Sequence, residues 1–198
     1  MSWLQVLKTS DYKMVPWKNG GGVTQDVLLL PSRATHDDFD VRLSLAPISA
    51  EGPFSSFPGI DRHITRLSEE RLSLVFGGET RELRRLEPIY FDSSQQPRSL
   101  LPDGAALVLN IMTRRGRWNA QVMSATGMNG PLLAAPDGGM VVLHAVTGVW
   151  QVGHQLGAAL VHPGETLICH EESTLRTSCE RAGESIVAFL CPARPRAS

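Results

Sequence analysis

Phe39-Asp40-Val41-Arg42-Leu43-Ser44-Leu45 alternates apolar and polar side chains. A period of two places every apolar residue on one side of an extended chain, so this stretch predicts a strand with one buried face. Leu72-Ser73-Leu74-Val75-Phe76, followed by Gly77-Gly78, predicts a second strand entering a tight hairpin. Residues 105–112 predict a more fully buried strand. Residues 140–146, 149–152, 158–162 and 186–190 complete a further set. Sustained 3.6-residue periodicity is absent, and only residues 3–14 and 61–68 leave room for a short helix. Eighteen glycines and 13 prolines punctuate short apolar runs along the chain, as in an all-β protein.

The 198 residues suit one large domain or two small ones. With 42% hydrophobic and 20% charged residues, the composition is that of an ordinary globular protein. The formal net charge of −1 removes any whole-protein electrostatic case for nucleic acid. No apolar run approaches 18 residues and no leader pattern opens the chain, so no membrane span or signal peptide is expected. Cys169, Cys179 and Cys191 are odd in number and lack C-x-x-C spacing, which points to free thiols in a reducing compartment and hence to the cytoplasm.

A shift of 76 residues lays Leu67 on Leu143, and Leu74, Phe76 and Gly77 on Trp150, Val152 and Gly153. In both halves a glycine-turn hairpin precedes a short strand. Two similar β units are expected: an N-terminal barrel over 1–125, a connecting loop over 126–137, and a C-terminal barrel over 138–198 that strands from the N-terminal segment would complete. Closing each unit into a small jelly-roll barrel hides its sheet edges.

Pro16-Trp17-Lys18-Asn19-Gly20-Gly21-Gly22-Val23-Thr24 is the most unusual stretch. Its glycines allow a ligand to approach the backbone closely, and successive amides there form an anion nest. A plain turn before a strand reads equally well. It is not a P-loop, because Lys18 precedes the glycines. Gly52-Pro53-Phe54-Ser55-Ser56-Phe57-Pro58-Gly59-Ile60-Asp61-Arg62 is dense in turn formers and aromatics. Its Phe54 and Phe57 suit the mouth of a barrel, while Asp61 and Arg62 point apart on a strand. Arg42 and Ser44 share one strand face, as do Asn110, Met112 and Arg114. Lining a barrel, these faces would bring guanidinium, hydroxyl and amide groups into a cavity; period two also fits solvent-facing positions. Arg is the natural partner of a carboxylate, whose two oxygens its planar fork matches. The six histidines are scattered without an H-x-H pair, so no metal or cofactor is expected. Among titratable groups, Lys18, His63 and Asp61 are the catalytic candidates, without a recognisable dyad.

These segments resemble the HutD/Ves family: residues 16–24, Arg42-Leu43-Ser44-Leu45-Ala46, residues 52–62, and Asn110-Ile111-Met112-Thr113-Arg114-Arg115-Gly116. Residues 138–152, ending in Gly148-Val149-Trp150-Gln151-Val152, resemble the Ves branch. The resemblance covers about residues 3–190. It implies a bicupin, two tandem cupin-like barrels packed together, without a bound metal. It also implies a link to histidine utilisation, which HutD proteins are thought to limit, with formylated or formiminated glutamate as the ligand type. The Ves branch is associated with cold and stress response instead. The chain departs from the family's usual pattern at Val41 and Leu109, where aromatic residues are common.

Three readings follow. In the first, the protein is a small-molecule-binding regulator without enzymatic activity. Arg42 and Arg114 would pair with carboxylates, and Asn110 and Ser44 would orient the polar end. Lys18, Asn19, Gly20 and Gly21 would close the mouth, with Trp17, Thr24, Phe54, Phe57, Asp61, Arg62 and Met112 completing the lining. In the second, it is a metal-independent isomerase or hydrolase using Lys18, His63 or Asp61. In the third, it is a Ves-like stress-response protein that acts as a scaffold, binding an enzyme or transcription factor; a protein partner in the histidine-utilisation system is a further expectation. Homodimerisation is an expectation throughout, since symmetric dimers are common.

Overall fold

The computed structural model describes residues 4–17, 22–154, 157–170 and 174–193. In chain order the strands are β1 (Leu4–Leu7), β2 (Lys13–Pro16), β3 (Val23–Leu30), β4 (Val41–Ile48), β5 (Gly52–Pro53), β6 (Ile60–Arg66), β7 (Ser73–Phe76), β8 (Glu79–Glu82) and β9 (Ile89–Asp92). They continue as β10 (Arg98–Leu100), β11 (Ala106–Arg114), β12 (Trp118–Asn129), β13 (Met140–Thr147), β14 (Trp150–His154), β15 (Gly157–Val161), β16 (Thr166–Cys169) and β17 (Arg176–Pro192). Among the described residues the only helical pieces are two 3₁₀ turns, Thr9–Asp11 and Ser93–Gln95. The protein is therefore all-β, as the alternating stretches require. No helix is long and apolar enough to cross a membrane among the described residues.

Two compact units form: Lys13–Trp118, and Asn119–Ser198 joined by Met1–Tyr12. The first holds a six-stranded sheet in the order β2-β3-β4-β11-β6-β9 and a four-stranded sheet in the order β5-β10-β7-β8. Ala46, Ile48, Ile64, Ala106 and Val108 from the larger sheet meet Leu72, Leu74 and Leu83 from the smaller side in one core. Gly77 and Gly78 both adopt positive φ between Phe76 and its cross-strand partner Glu79, the turn that lets two strands with right-handed twist meet in two residues.

The second unit holds a seven-stranded sheet, ordered β1-β16-β13-β17-β14-β15, with β12 also paired to β17. Strand β17 runs 17 residues and, besides β12, pairs with β14 through its first part and with β13 through its second. At Gly183, between those parts, a Cβ would stand 2.7 Å from Cys179 Sγ and 2.9 Å from the Thr147 carbonyl oxygen, so only glycine fits. The interior is filled by Leu133, Leu143, Trp150, Val152 and Val187. The three cysteines are free thiols.

Three local expectations change. Residues 61–66 of the segment 61–68 lie in strand β6 rather than in a helix: Arg62 and Ile64 face inward while Asp61 and His63 face out, which is period two. In residues 3–14, the described part divides into β1, the Thr9–Asp11 turn and the start of β2. Residues 126–129 of the expected loop belong to β12, and Leu133 bridges to Leu175. Gly127 does not end the strand, because pairing with β17 outweighs local turn preference; β12 stops at Asn129, just before Gly130.

Tyr12 anchors the start of the chain within the second unit. Its hydroxyl donates to the Gly164 carbonyl at 2.7 Å and lies 2.8 Å from Thr166 Oγ1, which in turn lies 2.9 Å from His144 Nδ1. His144 is 2% exposed, and burial lowers its pKa to about 4. The unfolded chain takes up this proton near pH 6.5, so the histidine's contribution is intact above that value and lost as pH falls toward 4. The loss amounts to about 3 kcal/mol. Urea unfolding at pH 7, 5.5 and 4.5 should show a wild-type decline that His144→Gln largely removes; parallel profiles for the two proteins would refute the assignment.

Candidate functional site

Strands β4, β11 and β6 lie side by side, with Ser44 opposite Asn110, Arg42 opposite Met112, and Met112 opposite Arg62. Because alternate residues share a face, these five side chains point the same way. They line a cavity of about 340 Å³ within the Lys13–Trp118 unit. Trp17 and Thr24 at the start of the β2–β3 pair, and Phe54 and Phe57 from the 52–62 stretch, complete its walls.

Nine sequence-selected residues thus converge: Trp17, Thr24, Arg42, Ser44, Phe54, Phe57, Arg62, Asn110 and Met112. Lys18, Asn19, Gly20 and Gly21 lie outside the described residues. Asp61 does not line the cavity; it accepts hydrogen bonds from Tyr90 Oη at 2.9 Å and Arg115 Nε at 3.0 Å. His63 also leaves it, with its ring 5.3 Å from that of Tyr90 and its pKa lowered by burial. Both alternate with the inward Arg62, so the strand turns them to its other face. Arg114, expected as a carboxylate partner, is already paired with Asp38 at 2.6 Å and Asp40 at 3.0 Å, away from the cavity. Val41 and Leu109 are buried on the face opposite Arg42 and Asn110, so the departure from the family pattern does not reach the lining.

Two arginines share the floor in different electrostatic states. Arg42 Nε and Nη2 both lie 2.8 Å from Asp26 Oδ1, a buried pair whose charges cancel. Burial lowers the Arg42 pKa while Asp26 raises it. Arg62 is 4% exposed, and no carboxylate pairs with it among the described residues. Its guanidinium carbon lies 5.5–5.6 Å from the ring centres of Phe54, Phe57 and Phe91. One long hydrogen bond runs from Nη2 to the Ser55 carbonyl at 3.4 Å, and Nε has no partner. Burial first, and the Arg42 charge second, lower its pKa to about 9. Asn110, 6% exposed, presents a buried Oδ1 that is also without a partner. The floor therefore offers one uncompensated positive charge, an idle N–H donor and an idle acceptor.

Sequence reasoning missed Asp26 and His36. Asp26 sits two residues from Thr24 on β3 and opposite Ser44, so the same period-two rule would have found it. His36 lines the cavity from an irregular segment, 3.7 Å from Asp26 Oδ2, where no periodicity could mark it. Among the described residues, no group of three His, Cys, Asp or Glu side chains is arranged to hold a metal ion.

An all-β chain whose first unit keeps a polar cavity between sheets has a cupin-like fold. A cupin barrel protein from Leptotrichia buccalis shares this fold at a TM-score of 0.57 and 10% identity, covering 89% of this chain and 92% of that one. More specifically, the HutD family profile matches residues 9–187, and the chain belongs to that family. Protein Ves of Cronobacter sakazakii is 35% identical over 153 residues, 74% of this chain and 80% of its own length. The structure of HutD from Pseudomonas fluorescens superposes with a TM-score of 0.81 at 27% identity, covering 97% of this chain and all of that one.

Proposed function

We propose that this HutD-family protein binds a small carboxylate in the cavity of its Lys13–Trp118 unit, as one of two cupin-like barrels in tandem, and thereby regulates histidine utilisation in the cytoplasm. Formylglutamate and formiminoglutamate are the preferred ligands. The observation that carries this reading is Arg62, a buried guanidinium that faces the cavity and has no ion-pair partner among the described residues, although Asp37 and Glu51 also line that cavity. An isolated buried charge is costly, and an incoming carboxylate offsets that cost with charge-assisted hydrogen bonds. Asn110 Oδ1 on the adjacent strand suits an N–H beside the carboxylate, as in an N-acylated or N-formiminated amino acid. The lining of arginine, amide, hydroxyl and aromatic groups needs no metal to hold such a ligand. Regulation then passes to a protein of the histidine-utilisation system whose affinity differs between the empty and filled states.

Thermal unfolding with histidine, urocanate, formiminoglutamate, formylglutamate and glutamate tests this directly. A ligand at a hundred times its dissociation constant adds about 2.7 kcal/mol, raising the midpoint by about 5 °C or more. Formylglutamate or formiminoglutamate should give that shift. Flat curves for both would overturn the reading.

A further inference from the structure

Trp17 packs against the core of the first unit and is held in place by contacts to Thr24 and Gly22. Its indole N–H donates to Thr24 Oγ1 at 2.6 Å. A Cβ built on Gly22 would lie 3.2 Å from each of Cδ2, Cε2 and Cε3 of the ring. Three equal distances to contiguous ring atoms place that point above the ring plane, so the indole lies flat on the Gly22 backbone. The Trp17 N–H also donates to the Gly22 carbonyl at 2.8 Å, drawing the ring's own backbone to the same glycine. Gly22 does not have a positive φ, so alanine is conformationally acceptable there, and the nearest atoms its Cβ would meet all belong to the ring. Both Trp17 and Thr24 line the cavity.

We propose that Gly22 and Thr24 are positioning residues that set the plane of Trp17 as a rigid wall of the cavity, and that this wall determines ligand affinity. The inference rests on the carboxylate-binding reading. It gives the last glycine of the Pro16–Thr24 motif a task distinct from turn formation. A wall fixed in advance spares the ligand the entropy of ordering an indole on arrival.

The test is a double-mutant cycle in the full-length protein with formylglutamate as probe, read by calorimetry. Gly22→Ala should weaken binding about tenfold in the wild-type background and less than twofold in a Trp17→Leu background, since no ring remains to displace. Thr24→Val should cost a similar factor, while Thr24→Ser, which keeps the hydroxyl, should restore binding to within about threefold of wild type. Equal losses from Gly22→Ala in both backgrounds would assign it a turn-forming role and overturn the proposal. Fluorotryptophan labelling separates this failure from failure of the binding reading. The chain has four tryptophans, and the Trp17 resonance is identified by its absence in Trp17→Phe. That resonance should move or broaden in Gly22→Ala and Thr24→Val even without ligand. If wild type does not bind the probe yet the resonance moves, the carboxylate reading fails and the positioning stands; an unmoved resonance overturns the positioning whatever binds.

Discussion

Arg62→Met raises the melting temperature of the ligand-free protein and removes carboxylate binding. The two effects have one origin. A guanidinium pKa held at about 9 rather than 12.5 corresponds to about 5 kcal/mol disfavouring the charged form in the folded state. Cation–π contact with Phe54, Phe57 and Phe91 offsets part of this, each ring contributing about 0.5–2 kcal/mol. Methionine keeps an apolar, adaptable side chain against the rings and carries no charge. Those terms leave a balance between about −1 and +3.5 kcal/mol, and the gain seen when buried charges give way to apolar groups puts the variant on the favourable side by about 1–3 kcal/mol. That is roughly 3–10 °C in Tm. The sign follows from linkage. The cost is fully present at pH 7, where Arg62 is charged in both states, and is relieved as pH rises through about 9, where only the folded state loses the proton. The stability difference between the two proteins should therefore narrow in alkali. Binding moves the other way: deleting the charged partner of a desolvated carboxylate costs about 2–5 kcal/mol, a loss of about 30-fold or more in affinity. Scanning calorimetry at pH 7 and pH 10, with titration of formylglutamate, checks both halves. A variant that melts lower and still binds would show that Arg62 is a structural residue.

Trp150→Ala costs the second unit about 3–5 kcal/mol. Trp150 is 0% exposed on β14, within the cluster that contains Leu133, Val152, Cys179 and Val187. The surroundings are cut to its outline. A Cβ at Gly130 would fall 2.6 Å from Cζ3 of the indole, and one at Gly183 would fall 3.2 Å from Nε1. The indole N–H is shared between the carbonyls of Thr147 at 3.2 Å and Glu184 at 3.3 Å. Alanine therefore leaves a void between backbone segments and removes the donor shared by two part-buried carbonyls. Trp150→Phe keeps most of the volume and should cost roughly half as much. Chemical denaturation of both variants settles the ranking; a loss under 1 kcal/mol for alanine would mean the core refills around it.

The period-two stretches that predicted strands also predicted faces. Arg42 with Ser44, and Asn110 with Met112, were legible as shared faces, and Arg62 as pointing away from Asp61. Nine of the sequence-selected residues meet in one cavity for that reason. The roles of the arginines were not legible. In the sequence Arg42, Arg62 and Arg114 are equivalent cations near apolar strands. In space Arg42 meets Asp26 from 16 residues away, and Arg114 meets Asp38 and Asp40 from more than 70. Only Arg62 is left for a ligand's charge. His36 was invisible because irregular backbone has no period to betray it.

The amino-acid order by itself determined the all-β class and which residues share a strand face, since both follow from the geometry of an extended chain. Which buried charge stays unpaired, and which glycine must stay bare beneath an indole, was decided only by the tertiary structure, because neutralisation and steric contact depend on distance in space rather than along the chain.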